Sequence, residues 1–186
     1  IIGQMMEKVI LPPYRPRRTN DEIRQQCPWA TLGKPDNRER NVTTSLALEA
    51  EEMERTNLRL QAKYKEICEN EVRFETVNCD DADFVLIAFG SIARVCMSAM
   101  EIGRKEGLKI GVLRPITLYP FPTLKIQELA KKAKGILTVE LSAGQMVEDV
   151  RLAVNGSIPV EFYGRMGGVV PTPEEVLEQL KKQLVK

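Results

Sequence analysis

The residues best placed to do chemistry sit where apolar runs end. Four such places stand out along the second half of the chain. The first is Gly90-Ser91, directly after the apolar run 84–89. A Gly-Ser turn opening a helix can cradle an anion with its free N–H groups. Only one glycine of a dinucleotide fingerprint is present, so the alternative is a plain strand-to-helix turn, with Ser91 as the cap. The second is the run from Arg114 to Pro122. Three prolines stiffen it, and Tyr119 and Phe121 offer large rigid surfaces, either to another protein or to their own sheet. The third is Glu140, at the end of a buried run, followed by Gln145. A lone buried charge is costly, so Glu140 is expected to pair with Arg114 or Arg165, within a chain or across an interface. The fourth is Gly164 to Gly168. Gly167 and Gly168 permit positive φ, and Arg165 can grip a carboxylate or phosphate. A hinge is the alternative reading there.

What is missing narrows the chemistry. The chain has no histidine, so Ser-His-Asp and Cys-His mechanisms cannot be assembled within it. Its four cysteines, Cys27, Cys68, Cys79 and Cys96, form no C-x-x-C pair and match no zinc or iron–sulfur spacing. They read as reduced thiols. No catalytic, cofactor-binding or metal-binding residue is assigned. With 27 basic and 26 acidic residues the chain has no electrostatic footprint for nucleic acid or an anionic membrane. No apolar run approaches the ~20 residues that span a bilayer. A soluble, cytoplasmic protein is expected.

The elements that position these groups follow from periodicity. Strand and helix patterns alternate from Val72 onward. Residues 72–77 alternate apolar and polar, as an exposed edge strand does. Residues 84–89, 109–114, 136–141 and 160–163 are further strands, and helices lie between them. Thr172, Pro173 and Glu175 form a capping-box start for a last helix running to about Leu184. The expected fold is α/β: a three-layer α/β/α sandwich on a mostly parallel five-stranded sheet with one antiparallel edge strand. Residues 1–71 precede this unit. They contain an irregular, proline-rich stretch from Ile1 to Asn41, expected to run over a surface. An amphipathic helix follows from Leu46 to Cys68, capped by Thr43, Thr44 or Ser45 and striped by Leu46, Met53, Leu60 and Ile67. The start without methionine suggests a piece of a longer protein.

Several segments resemble one family. Arg114 to Pro122, Val139 to Arg151, Phe162 to Gly168 and Pro171 to Glu175 follow the order and spacing of 2-oxoacid:ferredoxin oxidoreductase alpha subunits, with the 2-oxoisovalerate (branched-chain) type most similar. Ile1 to Glu7 resembles the end of that subunit's pyrimidine-binding domain, and Cys27 to Ala30 the connection after it. The resemblance implies a transketolase carboxy-terminal-like domain II over 72–186. It also implies an enzyme that decarboxylates a 2-oxoacid oxidatively to an acyl-CoA and reduces ferredoxin. Thiamine diphosphate, Mg and iron–sulfur clusters belong to the full complex, with none expected in this stretch. The implied partners are beta-type (thiamine-binding) and ferredoxin-like or gamma subunits, and a homodimer is compatible with the fold. Gly90, Ser91, Arg114, Tyr119, Phe121, Glu140, Gln145, Arg165, Gly167 and Gly168 are then contacts for a neighbouring subunit or an anion. Two alternatives stay open: an autonomous anion- or CoA-binding domain, and a pyruvate or 2-oxoglutarate enzyme of the same superfamily.

Overall fold

The computed structural model describes residues 13–14, 17–30, 33, 39–42 and 44–185. Ile1 to Pro12, most of the loop around Pro35 and the candidate cap Thr43 lie outside the described residues. The contacts divide the chain near residue 60, with 8–60 in one compact unit and 61–186 in the other.

In the first unit, α1 (Asn20–Gln26) starts on a capping box. The Thr19 hydroxyl accepts from the Glu22 N–H, and the Glu22 carboxylate accepts from the Thr19 N–H. The long helix α2 (Ala50–Asn70) runs from this unit into the next. It begins later than its apolar stripe predicts. Thr44 uses its hydroxyl to accept from the Leu46 N–H, two residues on, and this local turn competes with helix entry. Leu46 is left exposed outside the helix. No residue of α2 is buried; Met53, Leu60 and Ile67 are half-buried.

The second unit holds the sheet. Its elements run β1 (Phe74–Val77), β2 (Phe84–Ile87), α3 (Ser91–Lys105), β3 (Ile110–Pro115), α4 (Thr123–Ala130), β4 (Gly135–Glu140), α5 (Met146–Val154), β5 (Val160–Gly164) and α6 (Pro173–Leu184). The strand order is β1-β3-β2-β4-β5. β1 is antiparallel to β3 and all other pairings are parallel. The alternating strand is therefore the antiparallel edge, as its pattern implied. The continuous apolar runs are central: every residue of β2 and of β4 is buried.

From β2 the chain steps to β3, then reverses through β4 to β5. A right-handed crossover in each direction puts α3 on one face and α4 and α5 on the other. The core divides that way. Cys96, Met100 and Ile92 of α3 pack with Val176, Leu177 and Leu180 of α6 against Leu86, Val112 and Leu137. On the opposite face, Ile126, Leu129, Met146 and Val150 of α4 and α5 cover Val85, Ile87, Leu113 and Ile136. Gly103 sets the spacing on the first face: a Cβ there would meet Ile110 Cδ1 at 2.4 Å and Leu177 Cδ1 at 2.9 Å. The start of α6 is the predicted capping box, with the Thr172 hydroxyl accepting from Glu175 N–H and the Glu175 carboxylate from Thr172 N–H. The result is the α/β/α sandwich expected from the alternation of elements.

Candidate functional site

The reversal of direction makes β2 and β4 the topological switch point of the sheet. Open α/β sheets bind ligands in the crevice at that point, beyond the carboxyl ends of the strands. Four loops meet along this edge: 88–90 after β2, 116–122 after β3, 141–145 after β4 and 165–172 after β5.

Glu140 is the last residue of β4 and is 2% exposed. Neither predicted arginine reaches it. Its carboxyl group instead turns into the start of α5 and accepts from the backbone N–H groups of Gln145 (3.1 Å), Met146 (3.2 Å) and Val147 (2.9 Å). The Ser142 hydroxyl donates a fourth bond at 3.0 Å. The physical reason for the correction is locality. The unsatisfied N–H groups and positive dipole end of a helix starting six residues later form a nearer and better directed partner than a guanidinium on another strand. The anion site that a helix amino terminus offers at the switch point is thus filled by the protein's own carboxyl group. Gln145 contributes its backbone; its side chain makes no cap bond.

The two arginines are taken elsewhere. Arg114 pairs with Glu75 of the adjacent β1 at 2.9 Å, the two residues facing each other in the register. Arg165 lies 3.8 Å from the Glu175 carboxylate and 3.5 Å from the Tyr163 hydroxyl. Only the Arg165 backbone meets Glu140, its N–H donating to the Glu140 carbonyl at 3.1 Å. Gly164 sits in the same junction. A Cβ there would lie 2.3 Å from the Ser142 carbonyl oxygen, so the end of β5 can touch the 141–145 loop only as glycine. Gly167 (φ 66°) and Gly168 (φ 87°) adopt the positive φ expected of them and turn the loop toward α6.

Gly90 has φ 62° and is the N-cap of α3. Ser91 is the first helical residue and its side chain makes no cap bond, which corrects its expected role as the cap. With φ positive at Gly90, the backbone turn itself sets the entry into the helix.

The two aromatics of the stiff loop separate. Phe121 is half-buried and packs against the α4–α5 side of the core. Tyr119 is 63% exposed. Its ring meets Tyr64 of α2 edge-on, with centroids 6.2 Å apart, and its hydroxyl accepts from the Cys68 thiol at 3.6 Å. That hydrogen bond is the main cause holding the Tyr119 phenol above its ordinary pKa. Below Tyr119 lies an apolar cleft of about 770 Å³, between the end of α2 and the start of α4, lined by Val72, Phe74, Phe121 and Leu124. The cleft and the Cys68 contact were not foreseen. Val72 and Cys68 are remote in sequence from Tyr119, and no local pattern links them.

Of the other thiols, Cys96 is fully buried and Cys79 is buried, and burial pushes both above the ordinary thiol range. Buried, protonated thiols are poor nucleophiles. Among the described residues no three His, Cys, Asp or Glu side chains cluster closely enough to hold a metal ion. Among the described residues the strand ends therefore offer no cysteine set of the kind that holds an iron–sulfur cluster.

A family model described as pyruvate:ferredoxin oxidoreductase core domain II matches residues 82–176. The chain belongs to this family. The matched stretch of core domain II begins just before β2 and reaches into α6, so it contains all four parallel strands. Over 184 residues the chain is 44% identical to ketoisovalerate oxidoreductase subunit VorB of Methanothermobacter thermautotrophicus, covering 98% of this chain and 50% of that one. It thus spans about half the length of that relative. A solved 2-oxoglutarate:ferredoxin oxidoreductase from Magnetococcus marinus, with 2-oxoglutarate, coenzyme A and succinyl-CoA bound, superposes with a TM-score of 0.63 at 24% identity, over 73% of this chain and 24% of that chain. A split-gene transketolase, described as an inactive beta4 tetramer, superposes at 0.52 with 19% identity, over 59% of this chain and 40% of that chain. At these identities the two structures speak for the fold of core domain II alone.

Proposed function

We propose that this chain is a non-catalytic domain of a thiamine diphosphate-dependent 2-oxoacid:ferredoxin oxidoreductase, one that acts on 2-oxoisovalerate. The enzyme would decarboxylate the 2-oxoacid oxidatively, deliver the acyl group to coenzyme A and pass electrons to ferredoxin. One observation carries the non-catalytic part. Among the described residues, the charged side chains at or just after the parallel strand ends each have a partner within the chain: Arg114 with Glu75, buried Glu140 with the α5 amino terminus, and Arg165 with Glu175. The choice of 2-oxoisovalerate rests on the likeness to the ketoisovalerate subunit, which extends over nearly the whole chain. Thiamine diphosphate, magnesium and the clusters would be held by other domains or by beta-type and ferredoxin-like or gamma subunits, in the cytoplasm.

The test is reconstitution. The complete enzyme containing this chain should reduce ferredoxin with 2-oxoisovalerate and coenzyme A, faster than with pyruvate or 2-oxoglutarate. This chain alone should neither turn over substrate nor bind thiamine diphosphate in a calorimeter. Turnover or tight cofactor binding by the chain alone would end the reading.

A further inference from the structure

We propose that the Asn155-Gly156 turn, between α5 and β5, is a self-modification site, at which the Asn155 side chain closes on the backbone and ages to aspartate and isoaspartate. Asn155 is the only asparagine of the chain that is followed by glycine. Glycine has no side chain to shield its backbone nitrogen, and it leaves the backbone free to turn. The chemistry is separate from the proposed oxidoreductase activity and does not depend on it.

The fold leaves this turn open. Asn155 ends α5 at φ 50° and ψ 42°, a left-handed conformation that costs an L residue. Asn155 and Gly156 are both exposed, and a Cβ on Gly156 would meet nothing within 4 Å. Among the described residues, neither the Asn155 side-chain amide nor the Gly156 N–H has a hydrogen-bond partner. Bringing the Gly156 nitrogen onto that amide requires rotation about ψ of Asn155. The rotation keeps the Asn155 N–H bond to the Arg151 carbonyl (2.9 Å) and loosens the two bonds that Ser157 donates to the Val154 carbonyl. The other described asparagines are held. Asn20 and Asn57 lie within α1 and α2. The side-chain amides of Asn41, Asn70 and Asn78 donate to the Trp29 carbonyl, the Glu66 carbonyl and the Met100 sulfur.

The reaction consumes only water. The Gly156 nitrogen, once deprotonated, attacks Asn155 Cγ. An N–Cγ bond forms, the Cγ–Nδ2 bond breaks, and ammonia leaves. Water then opens the cyclic imide at either carbonyl. Opening at Cγ gives aspartate. Opening at the main-chain carbonyl gives isoaspartate, with an extra methylene in the main chain. Either product places a carboxylate at the negative end of the α5 dipole, where it is disfavoured. The turn leads directly toward β5, which begins at Val160 and pairs with β4.

The experiment ages the complete, natively folded enzyme at neutral and at mildly alkaline pH. A peptide map by mass spectrometry follows each asparagine. Isoaspartate is read separately, with an isoaspartyl methyltransferase and labelled S-adenosylmethionine. The peptide carrying Asn155 and Gly156 should gain the mass of an NH exchanged for an O and should take up the methyl label. Both should be faster at the alkaline pH, because the attack needs the deprotonated nitrogen. Peptides carrying the other asparagines should stay unchanged over the same interval. Asn155→Gly, which suits the left-handed position, should lose the label. The wild-type peptide map locates the site even where that variant fails to fold. No mass gain at this turn, a gain only after unfolding, an equal gain at other asparagines, or a rate indifferent to pH would each overturn the assignment. None of these results bears on the reading of the enzyme's activity, which is tested by turnover.

Discussion

The amino and carboxyl edges of the same sheet are finished in different ways. At the amino edge, charges are tied down at the surface. Arg104 of α3 donates to the Ile110 and Asn78 carbonyls, each at 2.7 Å, and grips Asp81 through two nitrogens. Lys134 pairs with Asp83, and Lys181 with Glu106. At the carboxyl edge, the one buried charge is turned inward onto a helix end and large apolar side chains are left outside. The amino edge thus relies on surface ion pairs, whereas the carboxyl edge holds its buried carboxyl group on a helix end.

That contrast can be broken most sharply at Glu140. Truncation in Glu140→Ala leaves three backbone N–H groups and a hydroxyl without their acceptor, inside the protein. Denaturant unfolding should show a loss of about 3 kcal/mol. A smaller effect comes from Gly164→Ala, which forces a methyl group against the Ser142 carbonyl. It should cost about 2 kcal/mol by the same measurement, and a neutral result would mean that the 141–145 loop yields easily.

At the amino edge, Arg104→Ala should cost about 1–2 kcal/mol, chiefly through the two orphaned carbonyls. The pair also sets a pH dependence. The Arg104 hydrogen bond holds the Asp81 carboxyl below its ordinary value. A depressed folded-state pKa means that the pair's contribution is complete above the ordinary carboxylate range, about pH 4, and fades as pH falls through the lowered value. Thermal melts of Asp81→Asn between about pH 5 and 2 should therefore show a shallower acid decline than wild type. The smallest effect belongs to Glu75→Ala. Its partner Arg114 is half-exposed, so the change should stay below ~0.5 kcal/mol. A loss several times larger would show that the carboxyl edge, too, depends on surface ion pairs.

Much of this architecture was readable before any coordinates. The alternation in 72–77 marked the antiparallel edge, the unbroken apolar runs marked the central strands, and Thr172 with Glu175 marked the start of α6. Each is a local signal, set by side-chain period or by a cap three residues away. The partner of Glu140 was not readable in the same way. Its burial implied a partner, but choosing among Arg114, Arg165 and a helix end required knowing where the carboxyl group pointed. Helix α2 differed in its start: the stripe gave its face, while Thr44 bonds Leu46 in a local turn and the helix begins only at Ala50.

Composition and periodicity thus determined the layers, the strand types and the lack of a histidine-based mechanism. The tertiary structure alone decided the charge pairing and the split fates of Tyr119 and Phe121. The physical reason is range. Period and capping act over a few residues, whereas desolvation and hydrogen-bond direction depend on groups that only the folded chain brings together.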